Sequence, residues 1–301
     1  ARTQGYLFVC ITMCIWGGFT ILSRLNLHWH VSAWDLVAMR FAIAFIILMP
    51  VLVYKKDLAF LWHPRPIILA LTGGLAYCLT VYTAFLHAPA AHAAIFLNGC
   101  IPLCTAVAAY LLFKQPFDKH TWLSLIIMLS ALALMSYLML HEQASAFGLG
   151  DVLYFLSAVW WGIFTVLLKQ WKLSAWHSMA SVAIWSALIY LPIYILFIPK
   201  HFQEAEPVHL LVQGVFHGVL VVIIATLTYV AAIERLGAFK TGSIVTLAPF
   251  IAAVIAVPLL NEPLSPAIMC GLVGMGIGAL QPWRWFRKDA LTAQLSQQKQ
   301  D

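Results

Sequence analysis

Asn98 and Pro102 stand one helical turn apart inside an apolar run, and Pro249 stands inside another. A proline there removes a backbone hydrogen bond and can bend the helix. In a membrane such freed carbonyls are tolerated where protein or a water-filled cavity satisfies them. An Asn amide on the same face needs a partner, which makes Asn98 either a cavity residue or half of an interhelical hydrogen bond. This is hinge and ligand-binding chemistry. For proton handling the sequence offers histidines: His87 and His92 flank one connection, and His217 lies inside an apolar run. Their unperturbed pKa near neutrality makes them the coupling candidates, against the plainer structural or interfacial reading for each. All eleven Asp and Glu fall in connections or within about two turns of a run's end, so none is placed for a relay at mid-membrane. No HExxH, GxSxG or glycine-rich phosphate loop is present, which leaves an intramembrane lipid enzyme without its constellation. Cys10 with Cys14 and Cys100 with Cys104 share helix faces but lack further ligands, so they read as packing residues. Neither a metal nor a cofactor is expected.

The elements that must position these residues follow from composition. Of 301 residues, 63% are hydrophobic and 9% charged, with a mean hydropathy of +0.91. Soluble domains carry about 25% charged residues, so the solvent for most of this chain is lipid. The net charge of +6 does not indicate nucleic acid, because the basic residues occupy short connections instead of one face.

A bilayer needs about 20 apolar residues per helix. Runs of that kind fall near 5–24, 33–54, 66–87, 90–113, 119–140, 150–169, 175–198, 208–234, 239–260 and 264–283. The first is too long for a cleavable signal and has no clear cleavage site, so it reads as a span. With the N-terminus inside, only Arg24, Arg40 and Lys200 of the seventeen Lys and Arg lie toward the outside. The positive-inside rule then places both termini in the cytoplasm. Arg40, one to two turns into its helix, is expected to snorkel outward or to pair with a polar group.

The chain also repeats itself. Trp16-Gly17 recurs as Trp161-Gly162, Ser32-Ala33-Trp34 as Ser174-Ala175-Trp176, and Pro50 as Pro192. Tyr82, Pro102 and Pro116 recur as Tyr229, Pro249 and Pro263. Matches of Trp, Gly, Pro and Tyr in one colinear order exceed what shared apolar composition supplies. Five spans per half is an odd number, so the second copy is inverted. The expectation is an all-α membrane protein of ten helices: a first repeat over 1–143, an inverted second repeat over 144–285, and a polar cytoplasmic tail over 286–301. Inverted repeats with a midplane site are transporter architecture.

The chain resembles the drug/metabolite transporter superfamily in its EamA-like branch. Trp16-Gly17, Ala38-Met39-Arg40-Phe41, the stretch from Tyr82 to Pro102, Ala248-Pro249 and Asn261-Glu262-Pro263-Leu264 carry the resemblance. The first half departs with Lys114-Gln115-Pro116 where a glutamate would stand. The resemblance implies a central vestibule formed by helices one, three and four with six, eight and nine.

Aromatics are plentiful, with twelve Trp, ten Tyr and eighteen Phe. Those at span ends, such as Trp62 and Trp122, read as the interfacial belt. Those within spans suit a partly apolar or cationic ligand. The candidate substrate-binding residues are Trp16, Thr20, Tyr77, Tyr82, Asn98, Trp160, Trp161, Thr226, Tyr229 and Thr246, with Pro102 and Pro249 as conformational hinges. The expected activity is export of an amino acid or related amphiphilic metabolite across a bacterial inner membrane. The partners are then the bilayer and a small-molecule substrate. The alternatives are a lipid-directed intramembrane enzyme, or a carrier of phosphorylated metabolites or nucleotide sugars, which would ask for a basic pair at mid-membrane. Gly214 with Gly218 and Gly274 with Gly278 have close-packing spacing. Packing within a monomer is the favoured reading, and a homodimer through helix ten is its alternative.

Overall fold

The computed structural model describes residues 2–116, 119–142, 147–236, 241, 244–245, 247–261, 264–280 and 282–283. Among these the chain is helical, without strands: α1 (Arg2–Leu25), α2 (Ala33–Tyr54), α3 (Pro64–His87), α4 (Ala90–Phe113), α5 (Lys119–Glu142), α6 (Leu149–Trp171), α7 (Ala175–Phe197), α8 (207–236), α9 (Ala248–Leu260) and α10 (Pro266–Leu280). Seven of them, α1 to α4 and α6 to α8, are long and apolar enough to cross a membrane. The apolar parts of the other three are shorter, at Lys119–Met135, Ile251–Leu260 and Pro266–Gly278. The first part of the expected ninth span lies largely outside the described residues, as does the tail over 286–301. Large apolar side chains such as Ile46 (68% exposed), Leu196 (71%) and Val254 (61%) face outward, as a lipid solvent requires.

Local chemistry sets the helix ends, and the repeat is visible there. The two Ser-Ala-Trp copies are N-caps: Ser32 Oγ accepts from the Trp34 N–H at 3.2 Å and Ser174 Oγ from the His177 N–H at 3.2 Å. A hydroxyl in that position satisfies one of the helix's orphan donors. Left-handed backbone also recurs in register. His30 (φ 53°) corresponds to Lys172 (φ 52°), and Lys114 (φ 52°) to Asn261 (φ 53°). Non-glycine residues adopt this conformation rarely, so two matched pairs are independent evidence for one fold used twice.

The packing exchanges the halves. Helix α1 lies against α8 and α9, while its counterpart α6 lies against α3 and α4. Repeat-related helices pack on one another, most extensively α2 with α7 and α5 with α10, and both of these pairs run antiparallel. Asp35 at the start of α2 accepts from the Tyr194 hydroxyl near the end of α7. Trp176 at the start of α7 donates to Asp57, just past α2, at 3.2 Å. Ser124 early in α5 donates to the carbonyl of Gly278 late in α10 at 2.5 Å. Antiparallel copies are what an odd number of spans per repeat demands.

The glycine pairs are used within this chain. A Cβ on Gly274 would lie 2.3 Å from the Ala131 Cβ, and one on Gly278 2.3 Å from Met128 Cγ, both across the α5–α10 seam. Gly214 and Gly218 face Ile43 of α2. The glycine face of α10 is thus covered by α5.

Candidate functional site

Among the described residues, three helices change their hydrogen-bonding register at the middle of the bundle. Wide, π-type turns occupy Ala70–Ala76 in α3, Ala93–Gly99 in α4 and Phe216–Ile224 in α8. The α3 and α8 stretches coincide when the repeat is applied. Such turns insert an extra residue per turn and concentrate at functional sites. After its π stretch α4 breaks: the Cys100 N–H reaches back to the Ile95 carbonyl at 3.1 Å. A new half-helix, Ile101–Phe113, starts with Pro102 in its first turn. Helix α9 starts in the same way, with Pro249 in the first turn of Ala248–Leu260. A proline at a helix start lacks only an N–H that would be orphaned anyway. The two prolines expected as bends inside continuous helices therefore mark where half-helices begin.

Around these breaks lies a cavity of about 290 Å³. Its wall includes Trp16, Phe19 and Thr20 of α1, Arg40 of α2, Tyr77 of α3, Trp161 of α6, and Val221 and Tyr229 of α8. From α4 come Ala94, Asn98, Gly99, Ile101 and Pro102, and the wall is completed by Val245, Ala248 and Met275. The aromatic residues stand in cross-repeat pairs. Trp16 lies 5.2 Å from Tyr229 and Trp161 lies 4.7 Å from Tyr77, centroid to centroid. Asn98 donates from Nδ2 to the Ala93 carbonyl at 3.3 Å.

Arg40 contributes the one charge on this wall among the described residues. It is 6% exposed. One guanidinium nitrogen donates to the Tyr82 hydroxyl at 2.7 Å, and that hydroxyl lies 2.9 Å from His217 Nδ1. The tyrosine oxygen accepts from arginine, and its contact with Nδ1 joins the imidazole to the same chain of polar groups. Phe19 packs against both Tyr82 and His217, at 5.8 and 5.4 Å. The Nε of Arg40 and the Nε2 of His217 are buried without hydrogen-bond partners.

The profile of the EamA-like transporter family matches residues 3–137 and, a second time, residues 148–281. The chain belongs to the EamA-like transporter family. This makes it a multi-pass membrane transporter of the drug/metabolite superfamily, built from two copies of one unit. It is also similar to a protein of solved crystal structure, at 20% identity and a TM-score of 0.60, over 93% of this chain and 96% of that one. Likeness at that identity concerns the fold. No curated protein sequence matches the chain.

Within this EamA-like chain the expected substrate residues separate into two groups. Trp16, Thr20, Tyr77, Asn98, Trp161 and Tyr229 meet at the cavity, together with Pro102. Tyr82, Trp160 and Thr226 are not on its wall. Tyr82 stands behind it, holding Arg40. Trp160 packs against the hydrophobic core, and the Thr226 hydroxyl bonds its own helix at the Val222 carbonyl (2.8 Å). Thr246 lies outside the described residues, and of Pro249 only the backbone is described. Among the coupling candidates, His87 is exposed at the end of α3. His92 is buried and bonded to Asp151 at 2.6 Å, and His217 belongs to the Arg40 cluster.

Arg40 was not expected at the site, and the snorkelling outward has to be corrected. It pairs with a polar group, but it points into the bundle. The sequence signal was a permanent cation inside an apolar helix with no acidic residue within helical reach: Asp35, five positions earlier, is engaged by Tyr194 and by the His201 N–H.

Proposed function

We propose that this protein is a carrier, not an enzyme, and that it exports an amino acid or a related small amphiphilic metabolite across a bacterial inner membrane by alternating access. The observation that carries this reading is the aromatic-walled cavity where the two inverted repeats meet, bordered by broken helices at matched positions. Transporters of inverted-repeat design bind substrate at that place, on discontinuous helices. The volume supports a single small metabolite, since it sits at the lower end of the roughly 300–1,000 Å³ of small-molecule sites. That speaks against a nucleotide sugar. Trp16, Tyr77, Trp161 and Tyr229 supply apolar faces that also attract cationic groups, and Thr20 and Asn98 supply hydrogen bonds. Both termini are read as cytoplasmic from the distribution of Lys and Arg.

The test is counterflow in proteoliposomes loaded with a panel of unlabelled amino acids, amines and sugar derivatives, with and without a pH gradient. Saturable, substrate-selective uptake is expected, and Trp161→Ala should raise the half-saturation concentration about 10-fold for loss of one aromatic wall. Asn98→Ala should lower saturable flux with folding retained. Absence of counterflow for every amino acid, from folded protein, removes amino acids as the substrate class.

A further inference from the structure

We propose that the cavity holds its substrate by a carboxylate seated on Arg40. The proposal deepens the transporter reading and rests on it for its physiological meaning. A guanidinium is charged at any accessible pH, and a cation inside a membrane protein is ordinarily paired with an opposite charge or lines an aqueous path. Arg40 has no ion-pair partner among the described residues, although it is almost fully buried. Its bond to the Tyr82 hydroxyl fixes its position without neutralising it, because a phenol accepts through a lone pair and brings no charge of its own. An oriented, uncompensated positive charge therefore faces the cavity.

A second feature points the same way. The half-helices Ile101–Phe113 and Ala248–Leu260, each of 13 residues, begin on the cavity wall at Ile101, Pro102 and Ala248. Helix N-termini carry partial positive charge and unbonded N–H groups, which favour an anion nearby. With no carboxylate on the described wall, a ligand must supply the negative charge. A carboxylate matches one guanidinium in charge and in fork geometry. A phosphate monoester carries about −1.5 to −2, and would leave excess negative charge among Trp16, Phe19 and Trp161. The rest of the ligand lies against those rings. Asn98, whose amide nitrogen is committed to the Ala93 carbonyl, offers its oxygen to an ammonium or hydroxyl of the substrate.

The experiment titrates purified protein by tryptophan fluorescence, which Trp16 and Trp161 report, using three probes of one body: 3-phenylpropionate, 3-phenylpropionamide and 2-phenylethyl phosphate. The carboxylate is expected to bind at least about 10-fold more tightly than the amide, the worth of one charge-assisted bond. In Arg40→Gln that ratio should fall to near one while amide binding persists, and Arg40→Lys should restore part of it. Should Arg40→Gln fail to fold, Tyr82→Phe keeps the charge but releases the guanidinium, and is expected to cut the ratio several-fold. A ratio near one in the unaltered protein, or one unchanged by these substitutions, overturns the proposal. Tighter binding of the phosphate overturns it in favour of phosphorylated substrates. Binding of none of the three also overturns it, whereas the transporter reading stands or falls on counterflow with the wider panel.

Discussion

Gly17 and Gly162 are the same residue of the repeat, yet their surroundings differ. A Cβ on Gly162 would lie 2.8 Å from the Thr105 nitrogen and 2.9 Å from the Cys104 carbonyl carbon, both backbone atoms of α4. Backbone cannot swing aside, so Gly162→Ala must push α6 off α4, at about 1–3 kcal/mol by the usual cost of overpacking. For Gly17 the nearest described atom is the Ala248 oxygen at 3.6 Å, an ordinary contact, and alanine there gains about 0.5–1 kcal/mol of helix propensity. Thermal unfolding in detergent should show Gly162→Ala melting well below the unaltered protein and Gly17→Ala melting at or above it. Equal losses would refute the asymmetry. Part of this scale was legible beforehand: aromatic and amide residues inside spans named Trp16, Tyr77, Asn98, Trp161 and Tyr229 of the cavity wall. The cluster of Arg40, Tyr82 and His217 was not, because it joins residues 135 positions apart in the chain and periodicity carries no information across that distance. Snorkelling is the default for an arginine near a helix end, and only tertiary packing turned it inward.

At the scale of the helix, the repeat extends to single hydrogen bonds. Thr12 of α1 meets Thr228 of α8 at 2.8 Å, and Ser157 of α6 meets Thr80 of α3 at 2.8 Å. Thr12 and Ser157 are repeat equivalents, and Thr80 stands one position from the equivalent of Thr228. These hydroxyl pairs join the halves within their helix interfaces. Polar contacts between membrane helices average about 0.6 kcal/mol in double-mutant cycles. Ser157→Ala and Thr12→Val should each cost about that much, and a cycle of Ser157→Ala with Thr80→Val should return a coupling energy of the same size for that pair. Zero coupling would mean that each hydroxyl serves only its own helix carbonyl, to which Ser157 also donates, at Leu153. The spans themselves were legible because each must satisfy its backbone within one apolar run. The π turns and the restart of α4 were not, since Ala93–Gly99 reads as unbroken apolar helix and its register depends on neighbours the sequence does not order.

At the scale of the whole molecule, buried polar groups tie the two halves at the end where α4 and α6 begin. His92, in the first turn of α4, bonds Asp151, in the first turn of α6, at 2.6 Å, with side chains 2% and 1% exposed. Asp151 also accepts from the Gly148 N–H at 2.9 Å, and the Tyr154 hydroxyl donates to the Ala88 carbonyl at 3.2 Å. Gly150 allows this approach, since a Cβ there would fall 2.4 Å from the Ala88 Cβ. Arg24 at the end of α1 closes the same end from the other side, donating to the Phe85 carbonyl at 2.6 Å. Breaking buried contacts of this kind is costly, so they hold this end closed. The alternating access proposed above requires the seal to part, because rocking one repeat against the other opens one end as it shuts the opposite one. Cysteines introduced as His92→Cys and Asp151→Cys, with exposed Cys10, Cys14 and Cys270 replaced by serine, should react together with a short bifunctional thiosulfonate. Counterflow should then stop, and should return on reduction, while either single variant keeps its flux after the same treatment. Transport that continues through a demonstrably cross-linked pair would mean that this end never opens, and that substrate crosses the bundle by a route the repeat symmetry does not supply.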